Sequence, residues 1–125
     1  MDSKPHILII EDDEFLRALT AKRLEKEGFK VSAAVDGESG LAAVAELRPT
    51  LVLLDLLLPG VNGFEVLERL KTNPELKAIP VIVFSNLGER ADIEKAQQLG
   101  ADDFLIKANF TLDDVMVKIN NKLKV

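Results

Sequence analysis

The chain has 125 residues, 47% hydrophobic and 30% charged, enough for one domain with a core of its own. Its 16 Lys and Arg stand against 21 Asp and Glu, a net charge of -5, which argues against a nucleic-acid surface because phosphate backbones are held by clustered cations. With no Cys and one His (His6), a disulfide framework, a thiolate zinc site, a cysteine nucleophile and a multi-His metal site are excluded, and a Ser-His-Asp triad would have to use His6 itself.

The opening Met1-Asp2-Ser3-Lys4-Pro5 has no secretory pattern, and the apolar run after it is only Ile7 to Ile10. The longest apolar stretch, Leu51 to Leu58, carries Asp55 and is too short to cross a bilayer. These features predict a cytoplasmic domain with no membrane association, whose chemistry comes from carboxylates, hydroxyls and lysines.

In chain order, Ile7-Leu8-Ile9-Ile10 reads as a strand buried on both faces. Glu11-Asp12-Asp13-Glu14 follows, and then Phe15, Leu16, Leu19 and Leu24 recur at helical spacing until Gly28 stops the helix. Phe29 to Val35 is a second strand, and Glu38 to Leu47 an Ala-rich helix ended by Pro49. Leu51-Val52-Leu53-Leu54 is the most apolar strand, with Asp55 at its end. A loop from Leu56 to Gly63 leads into a third helix marked by Phe64, Val66, Leu67 and Leu70, closed near Asn73-Pro74. Val81-Ile82-Val83-Phe84 is a fourth strand, Ile93 to Leu99 a fourth helix ended by Gly100, Phe104-Leu105-Ile106 a fifth strand, and Leu112 to Leu123 the last helix.

Short apolar strands alternating with amphipathic helices predict an α/β domain spanning residues 1–125, with a doubly wound, five-stranded parallel sheet and five helices. A flavodoxin-like strand order of 2-1-3-4-5 is expected. Ligands of such sheets bind beyond the carboxyl ends of the strands. The residues at those ends are Glu11, Asp12 and Asp13 after strand 1, Asp55 after strand 3, Ser85 and Asn86 after strand 4, and Lys107 after strand 5, with Asp36 after strand 2 to the side. Two carboxylates ~4 Å apart repel by ~4 kcal/mol at an effective dielectric of ~20. A group of three needs a proton or a cation, and a hard divalent ion such as Mg²⁺ suits an open oxygen-donor site. An acid beside a cation, a hydroxyl and an ammonium suits an incoming phosphoryl group, whose transfer needs positioning and charge neutralisation, and Asp55 is therefore expected to lie exposed within reach of an ion and a donor.

The chain resembles the receiver domains of bacterial two-component response regulators. The resemblance is carried by Ile7-Leu8-Ile9-Ile10-Glu11-Asp12-Asp13, by Leu53-Leu54-Asp55 through Leu58-Pro59-Gly60-Val61-Asn62-Gly63, by Val83-Phe84-Ser85, and by Gly100-Ala101-Asp102-Asp103-Phe104-Leu105-Ile106-Lys107. The spacings also match: 43 residues from Asp12 to Asp55, 30 from Asp55 to Ser85 and 22 from Ser85 to Lys107. It implies that Asp55 accepts a phosphoryl group, that Glu11, Asp12, Asp55 and the Leu57 carbonyl hold Mg²⁺, that Ser85 and Lys107 bind the phosphate, and that Ser85 and Phe104 form a switch. The implied partners are a sensor histidine kinase or phosphotransfer protein and a downstream protein target that reads helix 4, strand 5 and helix 5. The implied state is a monomer, or a weak homodimer on phosphorylation. The chain would be a phosphoacceptor rather than an enzyme, either free-standing or part of a longer protein.

Each residue also has a plainer explanation. Asp13 and Glu14 read as acids at a helix N-terminus, favoured there by ~0.3–1 kcal/mol each. Ser85 alone suits a turn, Lys107 alone a solvated surface, Phe104 plain packing, and His6 a solvated strand start. Four positions depart from common receivers. Ala108 stands where a proline after a cis bond is usual, so Lys107-Ala108 is expected to be either cis or trans with a rearranged loop. Asn86 is larger than usual beside Ser85. Leu57 and Leu87 are apolar where a polar group would orient a hydrolytic water, which predicts slow loss of the phosphoryl group.

Three rival readings fit these residues less well. A haloacid-dehalogenase-like phosphatase needs an acid at position 57, which is Leu. A flavin or nucleotide binder wants a Gly/Ser/Thr-rich loop after strand 1, where Glu-Asp-Asp-Glu stands instead. A degenerate receiver, acting as an interaction module without phosphorylation, is disfavoured by the intact Asp55, Ser85 and Lys107, while Ala108 and Asn86 keep it open as the alternative.

Overall fold

A computed structural model describes residues 4–124; the opening Met1-Asp2-Ser3 lies outside them. Strands β1 (His6–Ile10), β2 (Lys30–Ala34), β3 (Leu51–Leu54), β4 (Val81–Ser85) and β5 (Asp103–Ile106) alternate with helices α1 (Glu14–Lys26), α2 (Gly37–Leu47), α3 (Gly63–Thr72), α4 (Arg90–Gln98) and α5 (Leu112–Leu123). All strand pairs are parallel, and their order is β2-β1-β3-β4-β5, as expected.

The sheet separates two apolar layers because successive strand side chains point to opposite faces. Leu8, Ile10, Val52, Leu54, Val81 and Val83 pack with Val44 of α2, Val66, Leu67 and Leu70 of α3, and Ala96 of α4. Ile7, Ile9, Leu51, Leu53, Ile82 and Phe84 pack with Leu24 of α1 and Val115, Met116 and Ile119 of α5. The unbroken apolar strands of the sequence therefore reflect burial on both faces, which places every crossover helix against the sheet and every strand's carboxyl end on one rim.

Several boundaries differ from expectation. β2 is Lys30–Ala34 rather than 29–35, because Phe29 N–H bonds the Leu24 carbonyl and closes α1, while Val35 is exposed. Gly28 has φ +98° and ends α1 as expected. Arg48, at φ 47°, takes the left-handed turn after α2. α4 begins at Arg90 rather than Ile93. Only its Ala96 is buried, so apolar spacing hides its polar first turn. Ser85 belongs to β4 rather than following it, and the 3₁₀ turn Lys107–Asn109 was not foreseen. His6 is half-buried, not solvated: its Nε2 lies 2.7 Å from Ser32 Oγ on β2.

Candidate functional site

The site lies on the rim formed by the carboxyl ends of β1, β3, β4 and β5. The pairing Ile10↔Leu54 continues to set Glu11 beside Asp55, and Asp55 N–H bonds the Ile10 carbonyl at 3.0 Å. Glu11 is fixed from below by its own N–H on the Ala34 carbonyl at 3.0 Å and from the side by Asp13 N–H on its Oε2 at 3.1 Å. Asp13 is the N-cap of α1, accepting from Leu16 N–H at 3.0 Å, and Glu14 occupies the first helical turn, so both serve the helix as the plainer reading held.

Three carboxylates meet here. Glu11, Asp12 and Asp55 each offer an oxygen, and these atoms lie within 4.8 Å of one another. Glu11 and Asp55 are buried, whereas Asp12 is exposed. Lys107, carried in by β5, places its Nζ 2.7 Å from Glu11 Oε1 and 2.9 Å from Asp55 Oδ2. Its half-buried ammonium also stands 5.9 Å from the centre of the Phe84 ring. The expectation that acids and lysine converge therefore holds.

Asp55 itself was expected to be exposed, and it is not: it is 5% accessible. Its Oδ1 accepts Leu57 N–H at 3.1 Å and its Oδ2 accepts from the Lys107 ammonium at 2.9 Å. Burial is tolerated because both oxygens are bonded.

The charges are not balanced. Burial pushes the Glu11 carboxyl above its ordinary value; the Lys107 bond opposes this, and the Asp55 charge adds to it. Burial also works against the Lys107 charge, yet its bonds to Glu11 and Asp55 outweigh that and raise it above the ordinary lysine value. One ammonium facing three acid groups leaves a net negative cluster of oxygens with an exposed entrance at Asp12. Such a donor set fits a hard divalent cation. Glu11, Asp12 and Asp55 are the side chains able to hold it.

Ser85 is wholly buried at the end of β4, paired with Ile106, and its Oγ accepts Leu87 N–H at 3.4 Å. Phe104 pairs with Val83 and is half-buried against the core under α3 and α4. Asn86 is exposed and Leu87 half-buried. Leu57 is 49% exposed beside the acids. No cis peptide bond occurs among the described residues, so Lys107-Ala108 is trans, one of the two expected outcomes, and the chain makes a 3₁₀ turn over Lys107–Asn109. Asp36 stands apart as the N-cap of α2.

Arg17 was missed. On sequence it belongs to the polar face of α1, but its guanidinium donates to the carbonyls of Glu11 at 3.0 Å and Asp12 at 3.3 Å, tying the acidic turn to the helix. Only its closeness in sequence to those acids hinted at this.

Residues 7–120 match the family described as Response regulator receiver domain. The chain belongs to that family. As a receiver it is 38% identical over 120 residues to the DNA-binding dual master transcriptional regulator RpaA of Synechocystis, which covers 96% of this chain and 49% of that protein. It spans about half the length of the curated relatives it matches. Among solved structures, a CheY-like response regulator receiver domain protein from Methanospirillum hungatei superposes with a TM-score of 0.90 at 29% identity, covering 97% of this chain and 94% of that one. The Mn²⁺-bound form of response regulator Rcp1 gives 0.81 at 29% identity, covering 95% and 93%. No helix among the described residues is long and apolar enough to cross a membrane.

Proposed function

We propose that residues 1–125 act as one phosphoacceptor unit in two-component signalling, in the cytoplasm, with Asp55 as the acceptor. The observation that carries this reading is the Lys107 bridge between Glu11 and Asp55, a cation already seated on the acceptor acid and paired in excess by negative charge. An Asp55 oxygen attacks the phosphorus of a phosphohistidine on a sensor kinase or phosphotransfer protein. The P–N bond breaks, the imidazole leaves, and an acyl phosphate forms on Asp55. Lys107 moves from the carboxylate to the phosphoryl oxygens, and the buried Ser85 hydroxyl bonds another of them.

Mg²⁺, held by Glu11, Asp12, Asp55 and the Leu57 carbonyl, would supply charge neutralisation for the phosphoryl oxygens. That a receiver 29% identical to this chain has been solved with Mn²⁺ bound supports a divalent ion at this rim. Phe15, the most exposed large apolar side chain among the described residues at 77%, sits on the first turn of α1 beside the acids and offers an approaching donor an anchor.

The output reading rests on how loosely α4 is held. It keeps one residue, Ala96, in the core and has no side-chain bond at its N-cap. Movement of Ser85 and Phe104 toward the phosphate then shifts the surface of α4, β5 and α5 that a downstream protein reads. The chain acts as a monomer that pairs at most weakly when phosphorylated, and its own catalysis is limited to the transfer and a slow loss of the phosphoryl group.

Incubation with acetyl phosphate and Mg²⁺, followed by intact-mass measurement, tests the acceptor. Wild type gains a single phosphate-sized adduct and Asp55→Asn gains none. An unmodified wild type would leave only a phosphorylation-independent interaction module.

A further inference from the structure

The loop from Asp55 to Asn62 carries both the acceptor and the Leu57 carbonyl, and two glycines hold it from opposite sides. At its end, a Cβ on Gly63 would lie 2.4 Å from the Asp55 carbonyl oxygen and 2.4 Å from Leu56 Cα, and Gly63 N–H bonds the Leu56 carbonyl at 3.0 Å. From α2, a Cβ on Gly37 would lie 2.0 Å from the Val61 carbonyl oxygen and 2.9 Å from its carbon. Those are backbone atoms, which cannot rotate aside as a side-chain end can. Gly37 is not among the glycines with positive φ, so space rather than conformation demands a glycine there.

The position of Gly37 is itself fixed. Asp36 Oδ1 accepts the Ser39 N–H at 2.8 Å and Ser39 Oγ accepts the Asp36 N–H at 3.4 Å, a reciprocal cap that sets the first turn of α2. Gly37 is buried there, and Val61 packs against the core together with the buried Leu58. The loop is therefore pressed between the core and the bare backbone of α2.

We propose that Gly37 is a positioning residue for the phosphoacceptor site: by leaving room for the Val61 carbonyl it seats the 55–62 loop so that the Leu57 carbonyl faces the metal-binding acids. This rests on the reading of Leu57 as a ligand. The three atoms nearest to a Cβ on Gly37 all belong to Val61, and Gly37 acts through that residue. A methyl at 37 drives the Val61 carbonyl outward, and the loop moves with it.

Three proteins test this: wild type, Gly37→Ala, and Gly28→Ala as a control. Gly28 has φ +98° and nothing within 4 Å of a Cβ, so its substitution strains the backbone at the far rim without touching the loop. Mg²⁺ affinity is measured by calorimetric titration, thermal midpoint by scanning, and the Gly63 amide by hydrogen exchange. Both variants lose stability. Only Gly37→Ala loses Mg²⁺ affinity, by about tenfold or more, as expected when a support behind a ligand is disturbed, and only there does the Gly63 amide lose protection. Unchanged affinity and unchanged Gly63 protection in Gly37→Ala overturn the proposal, as does an equal affinity loss in Gly28→Ala. If Gly37→Ala does not fold, Ser39→Ala, which loosens the same turn without adding atoms, shows a smaller loss in the same direction, and no loss overturns the idea. Wild type that binds no Mg²⁺ refutes the metal reading instead, and the Gly63 exchange then decides the seating alone.

Discussion

Two lysines of this chain share one degree of burial, each with a side chain 13% exposed, and do opposite jobs. Lys71, in the last turn of α3, donates to the carbonyls of Lys77 at 3.2 Å and Ile79 at 2.9 Å and to Asp102 Oδ2 at 2.9 Å. The same Asp102 oxygen takes the Val81 N–H at 2.8 Å, so the unit ties α3, the start of β4 and the approach to β5 together at the amino rim. Asp102 meets two cations, Lys71 and, through its Oδ1 at 3.9 Å, Lys122 of α5, while the other Lys71 donors meet neutral carbonyls. Lys107, at the opposite rim, meets Glu11 and Asp55, with Asp12 close by. Burial does not separate a staple from a site. The separation lies in the charge left over: the Lys71 unit has no acid in excess, whereas the Lys107 unit keeps a surplus of negative oxygens, which is what the proposed metal and phosphoryl group require.

The sharpest way to break this contrast is to remove each ammonium. Lys107→Met abolishes adduct formation with acetyl phosphate, while Lys71→Met keeps it and instead loses about 1–3 kcal/mol of stability, the cost of removing the donor from the Lys77 and Ile79 carbonyls and the nearer cation from Asp102. The two variants also respond differently to Mg²⁺. The ion raises the thermal midpoint of Lys107→Met more than that of wild type, because it replaces the missing charge, and leaves the Lys71→Met deficit untouched. Equal responses to Mg²⁺ would sink the distinction.

A second measurement concerns the surplus itself. In wild type, Mg²⁺ at 100 times its dissociation constant adds about 2.7 kcal/mol, removable with chelator. Asp12→Asn, which takes no part in the lysine bridge, leaves stability in chelator unchanged and shrinks that gain. A variant that gains as much as wild type would remove Asp12 from the ligand set.

The exposed Leu57 gives a smaller effect. The acyl phosphate of wild type outlasts seconds, because neither Leu57 nor Leu87 orients an attacking water, and Leu57→Gln shortens its lifetime about tenfold by supplying a polar group. A wild-type half-life of seconds, read by intact mass over time, counts against this.

The least effect belongs to the amino rim. Burial first, and the neighbouring Lys30 charge second, hold the His6 imidazole below its ordinary value of 6.5. The unfolded chain therefore binds the proton more readily. The His6 contribution is complete above about pH 6.5 and fades as the pH falls from there through the lowered folded value. Denaturation midpoints at pH 7.5 and 5.0 show a slightly larger drop in wild type than in His6→Gln; equal drops refute it.

Much of this was legible without coordinates where local chemistry decides. The buried strands are nearly uninterrupted runs of Val, Ile and Leu, and Gly28 ends its helix because a left-handed turn favours glycine. The acids, Ser85 and Lys107 could be listed because parallel strands deliver their ends to one rim. Less legible were effects that depend on what lies across a gap. Arg17 looks solvated until the Glu11 and Asp12 carbonyls are placed beside it. Lys71 and Asp102 stand 31 residues apart with nothing in either segment naming the other. The first turn of α4 is polar and escaped the apolar period that marks the buried Ala96.

By itself, the order of residues determined a parallel α/β sheet and the set of groups gathered at its carboxyl rim, because side-chain alternation and crossover handedness leave few other arrangements. Only the folded molecule decided which oxygens the lysine holds, that Asp55 lies covered rather than open, and that Gly37 faces a carbonyl 24 positions away. Those outcomes depend on distances of a few ångströms between segments remote in the chain, and such distances are set by packing rather than by any local preference.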